Sequence, residues 1–164
     1  MRQHLLIVLL FSLLPQLAVA GQLMDQNDRF TQKRDLKWMS DVRSADPQAM
    51  GLNASVYFVN GDRPSQVLAH LVGGFERIEY ANCNKVYWLA SGEPVTPIEQ
   101  QYKILPRKGQ GSYLEVFTSV FSVEDFQRLA SAASVEYKVC NTVGAVPAED
   151  LEGLRQIQAL LNNP

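Results

Sequence analysis

Between Ser112 and Cys140 the spacing of apolar residues changes twice. From Tyr113 to Phe121, Leu114, Val116, Thr118 and Val120 alternate with Tyr113, Phe117 and Phe121, and Glu115 and Ser119 fall on the aromatic side. Both faces are substantially apolar, which predicts a central strand. From Ser122 to Ala133 the repeat lengthens: Val123, Phe126, Leu129, Ala130 and Ala133 recur at helical spacing, leaving Glu124, Gln127 and Arg128 for solvent. Ser122 suits the N-cap, and Asp125 three residues later makes a short-armed capping box. From Ser134 to Cys140 the period returns to two, with Val135, Tyr137 and Val139 on one face and Glu136, Lys138 and Cys140 on the other. The stretch therefore reads as strand, helix, strand. Two such strands, if parallel in one sheet, would be joined by a right-handed crossover.

The same reading along the chain gives a succession of short strands. Gly21–Arg29 is polar with no clear period and reads as a frayed N-terminus. Leu36 and Trp38 alternate weakly with charged neighbours, and Ser44-Ala45-Asp46-Pro47 is a turn signal. Ala54–Val59 is a strand ending at Asn60-Gly61, a pair that readily supplies the positive φ of a hairpin. Gln66–Val72 follows, closed by Gly73-Gly74; Arg77–Ala81 alternates; Val86–Ala90 reads as a buried strand ended by Ser91-Gly92-Glu93-Pro94. Gln101–Leu105 is an edge strand stopped by Pro106. At the C-terminus, Pro147 suits a first helical position, Glu149 and Asp150 complement the helix dipole, and Leu151, Leu154, Ile157, Leu160 and Leu161 form an apolar stripe. Gly153 interrupts that helix at a cost of up to about 1 kcal/mol. The expected fold is α+β: an antiparallel-rich sheet of five to seven strands, with a strand–helix–strand unit and a C-terminal helix packed on it.

The first twenty residues stand apart. Arg2 and His4 precede an apolar run from Leu5 to Leu14, and Ala18-Val19-Ala20 supplies small residues at cleavage-site spacing. This is the pattern of a secretory signal peptide, since a spanning helix needs about 20 apolar residues. The expectation is a leader over 1–20 and one domain over 21–164, with no membrane span once the leader is removed. The formal charge of −2, without a basic run, gives nucleic-acid binding little support. Cys83 and Cys140 are the only cysteines. In an exported chain an even pair predicts a disulfide.

Candidate chemistry is sparse. His70 is the only histidine outside the leader, so a Ser-His-Asp triad uses it or does not exist. Its place between Ala69 and Leu71 favours a half-buried strand residue. Glu115 is the leading carboxylate: the expectation is a solvated or ion-paired side chain, with Lys138 or Arg77 as the partner, and the alternative is a buried carboxyl with a raised pKa. Asp25-Gln26-Asn27-Asp28 lacks the glycine and terminal glutamate of a calcium loop, and no phosphate loop, zinc signature or other cofactor motif is present. Asn53-Ala54-Ser55 is a formal glycosylation sequon. The strand aromatics, among them Trp88, Tyr113 and Phe117, offer either core or a ligand-binding face.

Two segments carry a resemblance: Asn82-Cys83-Asn84-Lys85-Val86-Tyr87-Trp88-Leu89-Ala90-Ser91-Gly92-Glu93-Pro94, and Ala133–Asn141 followed by Pro147–Leu154. They resemble parts of small exported bacterial proteins with no assigned function. The resemblance covers about a third of the chain; it implies a bacterial, periplasmic setting and carries no catalytic residues. The expected function is a non-catalytic binding or interaction module whose partner is a small ligand or another envelope protein. The alternatives are a carboxylate-based enzyme using Glu115, and an inhibitor or accessory subunit of an envelope assembly.

Overall fold

The computed structural model describes residues 21–41, 50–59 and 62–162. The leader expected over 1–20, the turn signal at 44–47, the Asn60-Gly61 pair and the last two residues, 163 and 164, lie outside the described residues. Among the described residues ten strands and two helices follow in order: β1 (Gln22–Asp28), β2 (Lys33–Met39), β3 (Gly51–Val59), β4 (Gln66–Phe75), β5 (Val86–Ala90), β6 (Glu93–Val95), β7 (Glu99–Arg107), β8 (Ser112–Ser122), α1 (Val123–Ser131), β9 (Val135–Val139), β10 (Thr142–Ala145) and α2 (Ala148–Asn162). Six strands form one sheet in the order β1-β2-β3-β4-β8-β7, and four form a second in the order β10-β9-β5-β6. Every neighbouring pair is antiparallel.

The α+β class and the C-terminal helix packed on a sheet are as the sequence predicts. The strand–helix–strand unit is also present, as β8, α1 and β9, with Ser122 Oγ accepting the Asp125 N–H at the cap. Its strands enter different sheets, so α1 carries the chain between layers and the two strands form no parallel pair. The expected single sheet is correct for the six-stranded one; the second sheet is additional.

Three local expectations are corrected. Gly21–Arg29 is not frayed. Gln22–Asp28 pairs along its whole length with β2, from Gln22 opposite Met39 to Asp28 opposite Lys33. An edge strand is held by backbone pairing and needs no apolar face, which is why its side chains show no period. Arg77–Ala81 is not a strand but part of the irregular connection between β4 and β5. Glu93–Val95, read as the end of a strand, is itself a short strand, reached from β5 through the two-residue turn Ser91-Gly92. Both turn residues have positive φ, 50° and 86°, as a twisted two-residue hairpin requires.

The core lies between one face of the six-stranded sheet and a layer made of both helices and the second sheet. β8 sends Glu115, Phe117, Ser119 and Phe121 inward, and β5 sends Val86, Trp88 and Ala90. Helix α1 bridges the two sheets, touching β4 and β8 on one side and β5 and β6 on the other. Helix α2 packs on β1, β2, β3 and α1. Phe117, Phe121 and Phe126 are essentially fully buried, each contributing about 2–3 kcal/mol relative to exposure. The Cys83–Cys140 disulfide, with a Cα separation of 5.6 Å, ties the start of β5 to the end of its neighbour β9. Among the described residues no helix is long and apolar enough to cross a membrane.

Candidate functional site

Glu115 stands on β8 opposite Gly73 of β4 and Ile104 of β7. It has no exposed surface. Its carboxylate accepts the backbone N–H of Glu79 at 2.6 Å and of Tyr80 at 3.0 Å, and the hydroxyl of Tyr102. These are the amides that a strand over 77–81 would have given to a neighbouring strand. The carboxylate takes them instead and fixes the β4–β5 connection on the sheet. Arg77 bonds Glu79 at the surface, and Lys138 lies on the solvent face of the second sheet, so neither expected cation reaches Glu115. Burial, with help from the Glu115 carboxylate, pushes the Tyr102 hydroxyl well above its ordinary value. The Glu115 carboxylate itself offers no surface to a substrate.

His70 lies on β4, on the face of the six-stranded sheet turned away from the core. Its Nε2 is 3.2 Å from Ser55 Oγ and its Nδ1 is 2.9 Å from Thr118 Oγ1. A serine–histidine pair needs an acid behind the imidazole to stabilise the imidazolium; here a threonine takes that place. Burial, and then the nearby Lys103, push His70 below its ordinary value, and it is neutral at pH 7. Ser55 is itself almost wholly covered. Asn53 of the sequon accepts the Ser40 N–H at 2.8 Å, which commits its side chain within the fold.

The aromatic candidates divide between core and edge. Phe117 is buried between the rings of Tyr80 and Tyr102, at centroid distances of 5.6 and 5.1 Å. Trp88 is buried edge-on to Phe121, and its indole N–H donates to Ser119 Oγ at 3.0 Å. Tyr113 is half-buried at the start of β8, in register with Phe75 and Pro106. Glu115, His70, Trp88, Tyr113 and Phe117 therefore do not converge on one cleft.

A different residue organises the accessible surface. Tyr87 alternates on β5 with the buried Val86 and Trp88, so its ring stands out from the second sheet, 63% exposed. On one side lies a groove of about 560 Å³, walled by Leu89, Pro97 and the exposed Ile98. On the other lies a hollow of about 760 Å³ beside the disulfide, walled by Asn82, Asn84, Lys138 and Asn141. Tyr87 and Lys85 line both, so the two adjoin across an aromatic ridge and are treated together as one depression. No carboxylate lines the hollow. Lys85 and Lys138 are exposed, and neither has an ion-pair partner among the described residues.

Neither wall contains a histidine, and the cysteines are in the disulfide. The depression has apolar surface, amide groups, two lysines and, on the groove side, the Glu99 carboxylate, a set that can hold a ligand. Tyr87 is one of the strand aromatics that the sequence offers as core or binding face, but the sequence does not single it out as a site residue. The available signal was its place on the solvent-facing phase of a strand whose other phase is buried. Among the described residues no group of three or more His, Cys, Asp or Glu side chains is placed to hold a metal ion. No family model, curated protein or solved structure matches this chain.

Proposed function

We propose that this chain is an exported, non-catalytic binding module and that the depression around Tyr87 is its recognition surface. The observation that carries the reading is the adjoining groove and hollow on either side of an exposed tyrosine, next to two lysines that have no ion-pair partner among the described residues. The titratable groups that first suggest catalysis have internal partners: Glu115 holds backbone amides, and His70 is bonded at both ring nitrogens. The disulfide favours an oxidising compartment, the periplasm or the exterior. Whether the partner is a small ligand or another envelope protein, the module uses the same surface.

The test is a small-fragment screen on the oxidised, isotope-labelled protein, followed by amide NMR shifts. Hits are expected to move the amides of 85–89, 96–100 and 138–141, and to be lost in Tyr87→Ala. Hits gathered around His70 on the six-stranded sheet would overturn the reading. So would robust hydrolytic turnover that vanishes in His70→Ala.

A further inference from the structure

We infer that the Tyr87 depression takes an extended acidic polypeptide segment, with an apolar side chain against Leu89 and Ile98 and a carboxylate between Lys85 and Lys138. The inference rests on the preceding reading of this surface and adds the ligand class.

Charge complementarity supports the acidic part. The whole chain carries a formal charge of −2, yet the hollow beside the disulfide is lined by two lysines, three asparagines and no acid. Lysines without an ion-pair partner among the described residues, over a hollow whose own wall has no acid, favour an anionic group there, and the asparagine amides add hydrogen-bond donors for its oxygens. On the other side of Tyr87 the groove is lined mainly by Leu89, Pro94, Val95, Pro97 and Ile98, the last 60% exposed, and its one acid, Glu99, accepts the Gln101 side-chain amide. A ligand matching both sides has a charged end and an apolar end separated by the width of one aromatic ring.

The backbone supports the polypeptide part. Strand β6 pairs with β5 only from Trp88 to Ala90 and stops at Val95. Val86, two residues before Trp88 on the same edge of β5, has no strand beside it there. Its carbonyl instead accepts the side-chain amide of Gln100. A side-chain N–H thus occupies the position where the backbone N–H of a longer neighbouring strand would donate. An incoming extended segment brings such a group, can displace Gln100, and continues the line of β6. Strand addition of this kind uses main-chain hydrogen bonds for affinity and alternate side chains for specificity. A free anion or a sugar supplies the charge or the polarity but not the repeating backbone groups.

The experiment selects a displayed library of random segments, about nine residues long, on the oxidised protein, enough to span a short strand. Selected segments are then titrated as free peptides. They are expected to combine an apolar residue with Asp or Glu, and to shift the amides of Lys85, Val86, Gln100 and Lys138. The double reversal Lys85→Glu, Lys138→Glu should weaken them about tenfold or more, as should about 1 M salt, where the screening length falls to about 3 Å. Both lysines are exposed, so the fold should survive; near-UV circular dichroism checks this, and Lys85→Gln, Lys138→Gln serves if the reversal unfolds. Backbone N-methylation of the segment should abolish binding.

Selected segments that are neutral or basic, or that ignore the lysine changes, would overturn the acidic assignment. Citrate binding as tightly as the peptides would overturn the polypeptide assignment. So would a library that yields no segment although fragments still bind the groove; that result leaves the broader reading standing. If fragments and segments both miss the groove, both readings fall.

Discussion

The indole N–H of Trp38 donates to the carboxylate of Asp150 at 2.9 Å, across 112 residues of chain. The same buried carboxylate accepts the Ser40 hydroxyl at 2.9 Å and the Leu52 N–H at 3.1 Å. One side chain in the first turn of α2 thereby fastens that helix to β2 and β3. Asp150→Ala leaves these donors without an acceptor and should lower stability by about 2–4 kcal/mol. Asp150→Asn keeps one acceptor oxygen and should cost less. Urea denaturation of the two variants gives the order, and equal losses would contradict the assignment.

Gly153 is one turn further along α2. A Cβ there would lie 2.0 Å from the Trp38 ring. In an open helix Gly→Ala gains about 1 kcal/mol; here the clash should outweigh that gain and leave Gly153→Ala less stable by about 1–3 kcal/mol. The same change in a Trp38→Leu background should be close to neutral. Thermal denaturation of the four proteins measures the coupling between the two positions.

The Tyr102–Glu115 contact predicts an alkaline limit. The ordinary tyrosine value is 10.0, and Tyr102 is raised above it by burial and by the Glu115 hydrogen bond. A group raised on folding adds stability below its unfolded value and loses it as pH climbs towards the folded one. Stability should therefore fall above about pH 10, and the fall should be shallower in Tyr102→Phe. At pH 7 Glu115→Gln should cost about 2–4 kcal/mol, because its amide group presents donors to donors. It should also speed hydrogen exchange at the Glu79 and Tyr80 amides.

His70 predicts the opposite slope on the acid side. Its value lies below the ordinary 6.5, because of burial and then Lys103. The unfolded chain takes up the proton first, so stability is full above about pH 6.5 and declines as pH falls through the folded value. The His70 resonance should titrate with a midpoint below 6.5. In His70→Gln the dependence of stability on pH in this range should flatten.

The disulfide closes a separation of 57 residues. In the chain-entropy description such a loop contributes about 4 kcal/mol, less any strain. Cys83→Ser with Cys140→Ser should lose up to that amount, and the intact protein should show no free thiol by mass spectrometry before reduction.

What could be read in advance follows from what periodicity encodes. The 3.6-residue repeat of Phe126, Leu129 and Ala130, and the inward Val135, Tyr137 and Val139, each report a local face against a common core. The pairing of Cys83 with Cys140 needed only the count of thiols. Periodicity does not say which sheet a strand joins, so the division between β8 and β9 was hidden. Nor does it report edge strands such as β1, where backbone groups supply the order. Asp150 had an adequate local role at a helix N-terminus, and Gly153 looked like a plain weakness. Only the approach of Trp38, distant in sequence, gives both their place. Tyr87 was obscured for a related reason: a buried strand and a half-exposed one look alike when the outward residues are Tyr and Leu.

The interleaving of the two sheets has a consequence for how the chain comes together. The second edge of β4 is filled only by β8, and the second edge of β5 only by β9, while β5, β6 and β7 are threaded between β4 and β8. Neither sheet is a contiguous length of chain. Loop-closure entropy must be met before either pairing is rewarded, which places the protein among slow-folding topologies. During synthesis the edge of β4 stays open until Ser112–Ser122 has been made, so a chain stopped before β8 presents a bare strand to its neighbours.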